Sequence, residues 1–305
     1  MTLHKFKHLV GNTPIIEVEK NIFAKFEAYN PSGSIKDRMV LYIVEKALKK
    51  GIFNKRTTFL EATSGNTGIA LSMIGARMGI DVEIIMPCNM SKERKQLMRF
   101  FGAKIIEVAK NDFKGAIAMR DDMLKTHEFY WSPKQFSNPL NVECHRKTTG
   151  PEIYFGLHSF IKTTNKDKTF GAFIQGSGTG GTMMGVWECF NKDLHIVDNK
   201  GKPKKIEFIL TIPEEDSANH GIQGINDGAD FLLDKTVLDG EIAIKTDDAC
   251  EYMRKLGRDK GLMVGISSAA NILASKQWLK DNPNSGNVIT MLCDRGERYL
   301  QKSSN

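Results

Sequence analysis

The chain has 305 residues, 41% of them hydrophobic and 26% charged, with a formal net charge of +7; that length exceeds a usual single core and points to two domains. No apolar run approaches the length of a membrane span and the N-terminus lacks the apolar core of a signal peptide, so a cytoplasmic protein without a membrane partner is expected. The lysines are spread along the chain with no nucleic-acid module beside them, and the five cysteines (Cys88, Cys144, Cys189, Cys250, Cys293) lack C-x-x-C or ligand spacing, which speaks against a nucleic-acid partner and a zinc site.

In chain order, the run Asn30-Pro31-Ser32-Gly33-Ser34-Ile35-Lys36-Asp37-Arg38 predicts a glycine-rich turn feeding a helix over 36–50, with Lys36 in its first turn. The positive end of the helix dipole and partial burial both oppose the ammonium form there. The neutral amine that results is what a Schiff base with an aldehyde cofactor needs. A strand over 57–60 leads into Glu61-Ala62-Thr63-Ser64-Gly65-Asn66-Thr67-Gly68 and a helix over 69–78. Small hydroxyl and amide side chains with converging N–H groups read there as a carboxylate nest, or as a plain N-cap with a turn.

From Val82 the pattern alternates: strand 82–86, helix 91–102, strand 104–108 and helix 114–127, after which Tyr130 and Trp131 enter a loop and a single helix covers 141–160. A strand over 172–175 then runs into Gly176-Ser177-Gly178-Thr179-Gly180-Gly181-Thr182, ahead of a helix over 183–190. That is a phosphate cradle, in which glycines permit close backbone approach and two threonine hydroxyls donate. Gly176, Gly178 and Gly181, with Asp198 about 20 residues on, also satisfy a dinucleotide fingerprint. Such a fingerprint belongs in the first βα unit, and Asp198 falls in a turn-like stretch, so a nicotinamide-dependent oxidoreductase is the weaker reading. Strands alternating with helices imply parallel sheets with helices on both faces, and two such sheets leave a cleft toward which these turns would face.

Lysine, nest and cradle together resemble the cysteine synthase and cystathionine β-synthase family of pyridoxal-phosphate enzymes. The resemblance extends to Gly11-Asn12-Thr13-Pro14, Met90-Ser91-Lys92-Glu93-Arg94, Gln135-Phe136-Ser137-Asn138-Pro139, Thr148-Thr149-Gly150-Pro151-Glu152, Ile222-Gln223-Gly224-Ile225 and Gly296-Glu297-Arg298-Tyr299-Leu300. It implies an α/β fold of two domains, each a mostly parallel sheet flanked by helices, with pyridoxal 5'-phosphate in the cleft between them. A smaller domain of 40–145 would close over a larger one made of 1–39 and 146–305. Lys36 would hold the cofactor and move the α-proton, Asn66 would touch its phenolic oxygen, Gly178, Thr179, Gly180, Gly181 and Thr182 its phosphate, and Ser267 its pyridine nitrogen. Thr63, Ser64, Gly65, Thr67 and Gln135 would hold the substrate carboxylate. A serine opposite the ring nitrogen, where it could also be a plain N-cap, leaves that nitrogen neutral and favours loss of a β-leaving group. The substrates implied are cysteine, serine or O-acetylserine with sulfide, in a homodimer; whether a serine acetyltransferase docks is left open. A scaffold that keeps the fold without the chemistry is disfavoured by the intact Lys36 and cradle.

The chain departs from that family where Asn226-Asp227-Gly228-Ala229-Asp230-Phe231 replaces a Gly-Ala-Gly-Phe turn, after a shortened stretch between Glu214 and Ile222. Asp230, with Asp227 as fallback, is either turn chemistry or a carboxylate that activates water for addition after elimination. The direction expected is L-cysteine and water to L-serine and hydrogen sulfide. Synthesis of cysteine from O-acetylserine, or formation of cystathionine or lanthionine, is the alternative.

Overall fold

The computed structural model describes residues 3, 6–63, 65–164, 170–194, 196, 202–216, 220–225 and 231–300, and of 158–164 the backbone only. In chain order the elements are β1 (Ile15–Glu19), β2 (Ile22–Phe26), α1 (Lys36–Lys49), β3 (Thr58–Ala62), α2 (Asn66–Met78), β4 (Asp81–Pro87), α3 (Lys92–Phe100), β5 (Lys104–Val108), α4 (Phe113–Thr126) and β6 (Tyr130–Trp131). There follow α5 (Leu140–Lys147), α6 (Thr149–Thr164), β7 (Phe170–Gly176), α7 (Gly181–Glu188), β8 (Glu207–Pro213), β9 (Gly240–Ile244), α8 (Thr246–Lys260), α9 (Ile266–Asp281) and β10 (Asn287–Leu292).

The chain divides into two units. The first comprises 1–11 and 30–140 and carries a four-stranded sheet in the order β5-β4-β3-β6, every pair of it parallel. Its core sets Met39, Val40, Ile43 and Val44 of α1 and Ile69, Leu71 and Ile74 of α2 with Phe59, Ile84 and Met86 of the sheet. The units differ from the expected 40–145 and 1–39 plus 146–305 at 1–11 and 30–39, which group here, and at 141–145, which group with the second unit; α1 packs on α2, and its apolar face is part of this core.

The second unit comprises 12–29 and 141–305 on a six-stranded sheet ordered β1-β2-β10-β7-β8-β9. Only β1 is antiparallel, paired with β2; the other pairs are parallel. β7 is buried along its whole length, as a parallel strand covered on both faces must be. Ala172 and Ile174 of β7, Ile209 of β8 and Val288 of β10 pack with Ala274 and Trp278 of α9.

Three local expectations are corrected. Tyr130 and Trp131 form strand β6 beside Thr58 and Phe59, because Trp131 also packs its ring on Phe53 and Phe59, with centroids 4.9 and 5.1 Å away. The single helix expected over 141–160 is two, α5 and α6, divided at Thr148. Ser267 is not an N-cap: Gly265 caps α9 and Ser267 lies one residue inside it.

The thiols differ in the same physical terms. Burial pushes the Cys189 thiol up to about 11, Cys144 is buried and Cys88 is exposed. A thiol reagent at neutral pH is therefore expected to label Cys88 quickly and leave Cys144 and Cys189 intact in the native protein. Peptide mapping after brief labelling checks this, and fast modification of Cys189 would contradict it.

Candidate active site

In the first unit the turn that carries the amine is pinned from inside. Buried Asn30 accepts the Gly11 N–H on Oδ1 at 2.9 Å, and the Gly33 N–H donates to the Asn30 carbonyl at 2.7 Å. Asp37, buried in the first turn of α1, accepts the Ser32 N–H at 2.7 Å and the Ser32 hydroxyl as well. Lys36 is thus delivered as the first residue of α1, half-buried, by a turn with little freedom left.

β3 ends at Ala62 and α2 begins at Asn66, so the nest is the tight passage between them. Its Gly65 N–H donates to Thr63 Oγ1 at 3.2 Å, and a Cβ on Gly65 would stand 2.6 Å from Arg94 Cδ, so the buried Arg94 side chain occupies the space a larger residue would need. The Thr67 hydroxyl donates to Gln135 Oε1 at 2.6 Å. The structure therefore brings Thr63, Gly65, Asn66, Thr67 and Gln135 together; Ser64 lies outside the described residues.

The second unit holds the glycine loop between β7 and α7. Gly178 has no room for a side chain, since a Cβ there would lie 2.9 Å from the Gly224 carbonyl oxygen, and Gly180 sits at φ +87°, where a side chain would run into Leu232 and Leu233. Bare backbone at a helix N-terminus results, with N–H groups and dipole both suited to a dianion. Thr179 and Thr182 are buried in it. The Asn141 amide donates to Thr179 Oγ1 at 3.0 Å, which leaves the Thr179 proton to be given to an anion. Thr182 Oγ1 lies 3.2 Å from His145 Nε2, and His145 Nδ1 lies 2.8 Å from Thr149 Oγ1. Ser267 is 5% exposed, and its hydroxyl has no hydrogen-bond partner among the described residues.

These residues fit pyridoxal phosphate on their own chemistry: a cradle that only glycine can form, two braced hydroxyls for a phosphate, and a buried hydroxyl left for a ring nitrogen. Asp198, Asp227 and Asp230 lie outside the described residues. Of the residues that brace the site, Asn30, Asp37 and Thr149 lie inside the motifs quoted above without a role assigned to them, and Asn141 and His145 lie in none. The four-residue spacing of Asn141, His145 and Thr149 is the signal that could have found three of them.

Comparison with known proteins places this arrangement. The sequence matches the family described as pyridoxal-phosphate dependent enzyme over residues 6–294. It is similar to cysteine synthase B of Campylobacter jejuni, 39% identical over 308 residues and 98% of both chains. Among solved structures, a hydrogen sulfide-producing enzyme of Fusobacterium nucleatum superposes with a TM-score of 0.82 at 33% identity, over 96% of this chain and 98% of that one. A second hydrogen sulfide-producing enzyme of that organism, as an aspartate-to-asparagine variant in complex with an α-aminoacrylate intermediate, superposes with a TM-score of 0.85 at 34% identity, over 98% and 90%.

Proposed function

The chain belongs to the cysteine synthase group of pyridoxal-phosphate-dependent enzymes, and from that premise we propose that it converts L-cysteine and water to L-serine and hydrogen sulfide. The bound cofactor supplies the electron sink that lets a β-substituent leave an amino acid. The protein's own residues do the rest. Lys36 Nζ would hold the cofactor and would move the α-proton; Thr63, Ser64, Gly65, Thr67 and Gln135 would orient the substrate carboxylate. Asn66 would meet the phenolic oxygen, Ser267 the ring nitrogen, and Gly178 to Thr182 the phosphate. Asp230, or failing it Asp227, takes a proton from water as that water's oxygen adds to the β-carbon.

The observation that supports the choice of water is what the described residues on either side of the segment 226–230 touch. Ile225, on its N-terminal side, packs where a Cβ on Gly176 would collide, and Gly224 abuts Gly178. On its C-terminal side the Leu232 N–H donates to the Thr179 carbonyl at 3.1 Å. Residues on either side thus meet the glycine loop, and the sequence has Asp227 and Asp230 between them. The α-aminoacrylate complex of a relative's aspartate-to-asparagine variant supports giving such a carboxylate the step after elimination. The similarity to cysteine synthase B favours a second reading, synthesis of cysteine from O-acetylserine and sulfide.

Assaying cysteine alone, O-acetylserine with sulfide, and serine with homocysteine side by side separates these readings. Serine from cysteine as the fastest reaction supports the proposal, and cysteine synthesis as the fastest replaces it with the second. For the cradle, Thr179→Ala with Thr182→Ala is expected to release cofactor on dialysis. Each hydroxyl bond to a charged acceptor is worth about 1.5–3 kcal/mol, so together they weaken binding about a hundredfold or more. Full cofactor content after dialysis, read by absorbance, would place the phosphate elsewhere.

A further inference from the structure

Glu61, in β3, is fully buried, and its carboxylate gathers donors from three stretches of the first unit. Arg120 Nη1 of α4 reaches Oε1 at 2.8 Å, the Ala62 N–H reaches the same oxygen at 2.9 Å, and the Gln135 backbone N–H reaches Oε2 at 3.2 Å. Arg120 is itself buried and is held from its other side by Asp121, through Nε at 3.0 Å and Nη2 at 2.9 Å. Burial raises the Glu61 carboxyl above its ordinary value even with Arg120 beside it. Such a pair is a poor device for stability, since apolar residues of like volume commonly do as well or better.

What the pair touches gives it another use. Gln135, whose main chain it fixes, turns its side-chain Oε1 to the Thr67 hydroxyl at 2.6 Å and leans Nε2 on the Ala62 carbonyl at 3.4 Å. The amide is thereby set with a defined donor end. Arg120, Glu61, Gln135 and Thr67 form one continuous chain of bonds from a buried cation to the nest. We propose that the Glu61–Arg120 pair is the positioning element of the carboxylate subsite and so sets the preference for α-amino acids over plain amines. This rests on the reading that Gln135 and Thr67 hold the substrate carboxylate.

The test is a spectroscopic titration of the holoenzyme with L-alanine, which has no leaving group, and with ethylamine, which lacks the carboxylate. Wild type is expected to bind alanine at least about tenfold more tightly. Gln135→Ala and Glu61→Gln should each weaken alanine about tenfold and leave ethylamine within twofold, because the amide of Glu61→Gln turns a donor toward the Gln135 N–H. The double variant should bind alanine no more weakly than Gln135→Ala alone, since Glu61 acts through Gln135. Equal weakening of both ligands by Glu61→Gln, no weakening of alanine, or a full additional loss in the double variant overturns the positioning role. Unchanged alanine binding in Gln135→Ala instead overturns the carboxylate reading on which it rests. Should Glu61→Gln fail to fold, Arg120→Lys keeps the countercharge and loses the fork. An alanine-specific loss of about threefold then supports the proposal, and no loss or an equal loss for both ligands overturns it.

Discussion

Lys36→Ala is expected to lower turnover at least about a thousandfold while the protein stays folded, because no other group of the site can replace a covalent amine. Lys36 opens α1 and is half-buried, whereas the residues that hold α1 in place, Met39, Val40, Ile43 and Val44, lie behind it in the core. Alanine is also the residue a helix tolerates best, so unfolding should shift little. Borohydride provides the second readout. It should fix cofactor to the wild-type chain at Lys36 and leave the variant unlabelled by mass. Activity within tenfold of wild type, or labelling at another lysine, contradicts the covalent role.

Asp230→Asn is expected to separate the two halves of the reaction. Hydrosulfide is abundant at neutral pH and needs no base to add, but water, with a pKa near 15.7, does. General-base help is typically worth 10²–10⁴-fold. Serine formation from cysteine should fall by about that factor in the variant, while the first release of hydrogen sulfide, followed by rapid mixing, largely persists. Equal serine formation in variant and wild type would reduce Asp230 to turn chemistry, and Asp227→Asn would then be the next variant to examine.

Much of this was legible in the residues, for reasons that also mark where reading fails. β5 runs over 104–108 as alternation predicts, and α1, α2 and α4 end within a few residues of their expected bounds. β6 is two residues long, too short for any periodicity, and exists through pairing with a strand some 70 residues earlier. The division between α5 and α6 did have a signal. Pro151, which lacks an N–H, suits the first turn of a helix and not the interior of a long one. The close approach at the glycine loop was readable because glycine there leaves a pattern. Glu61 and Arg120 were not, since a carboxylate and a guanidinium 59 positions apart carry no sign that they will meet.

The strand order of the second sheet bears on the order of synthesis. β2, at residues 22–26, lies beside β10, at 287–292, and β10 also pairs with β7, so the last strand to leave the ribosome joins the first two to the rest. The first unit draws nearly all its residues from 30–140 and can assemble while the remainder is still being translated. The unit with the cradle cannot close its sheet until almost the whole chain is made, and this long-range pairing is the slow kind. Nascent chains should therefore acquire the amine-bearing half early and the phosphate loop's supporting sheet last. A chain cut short before residue 287 loses the strand that joins the N-terminal hairpin to the others.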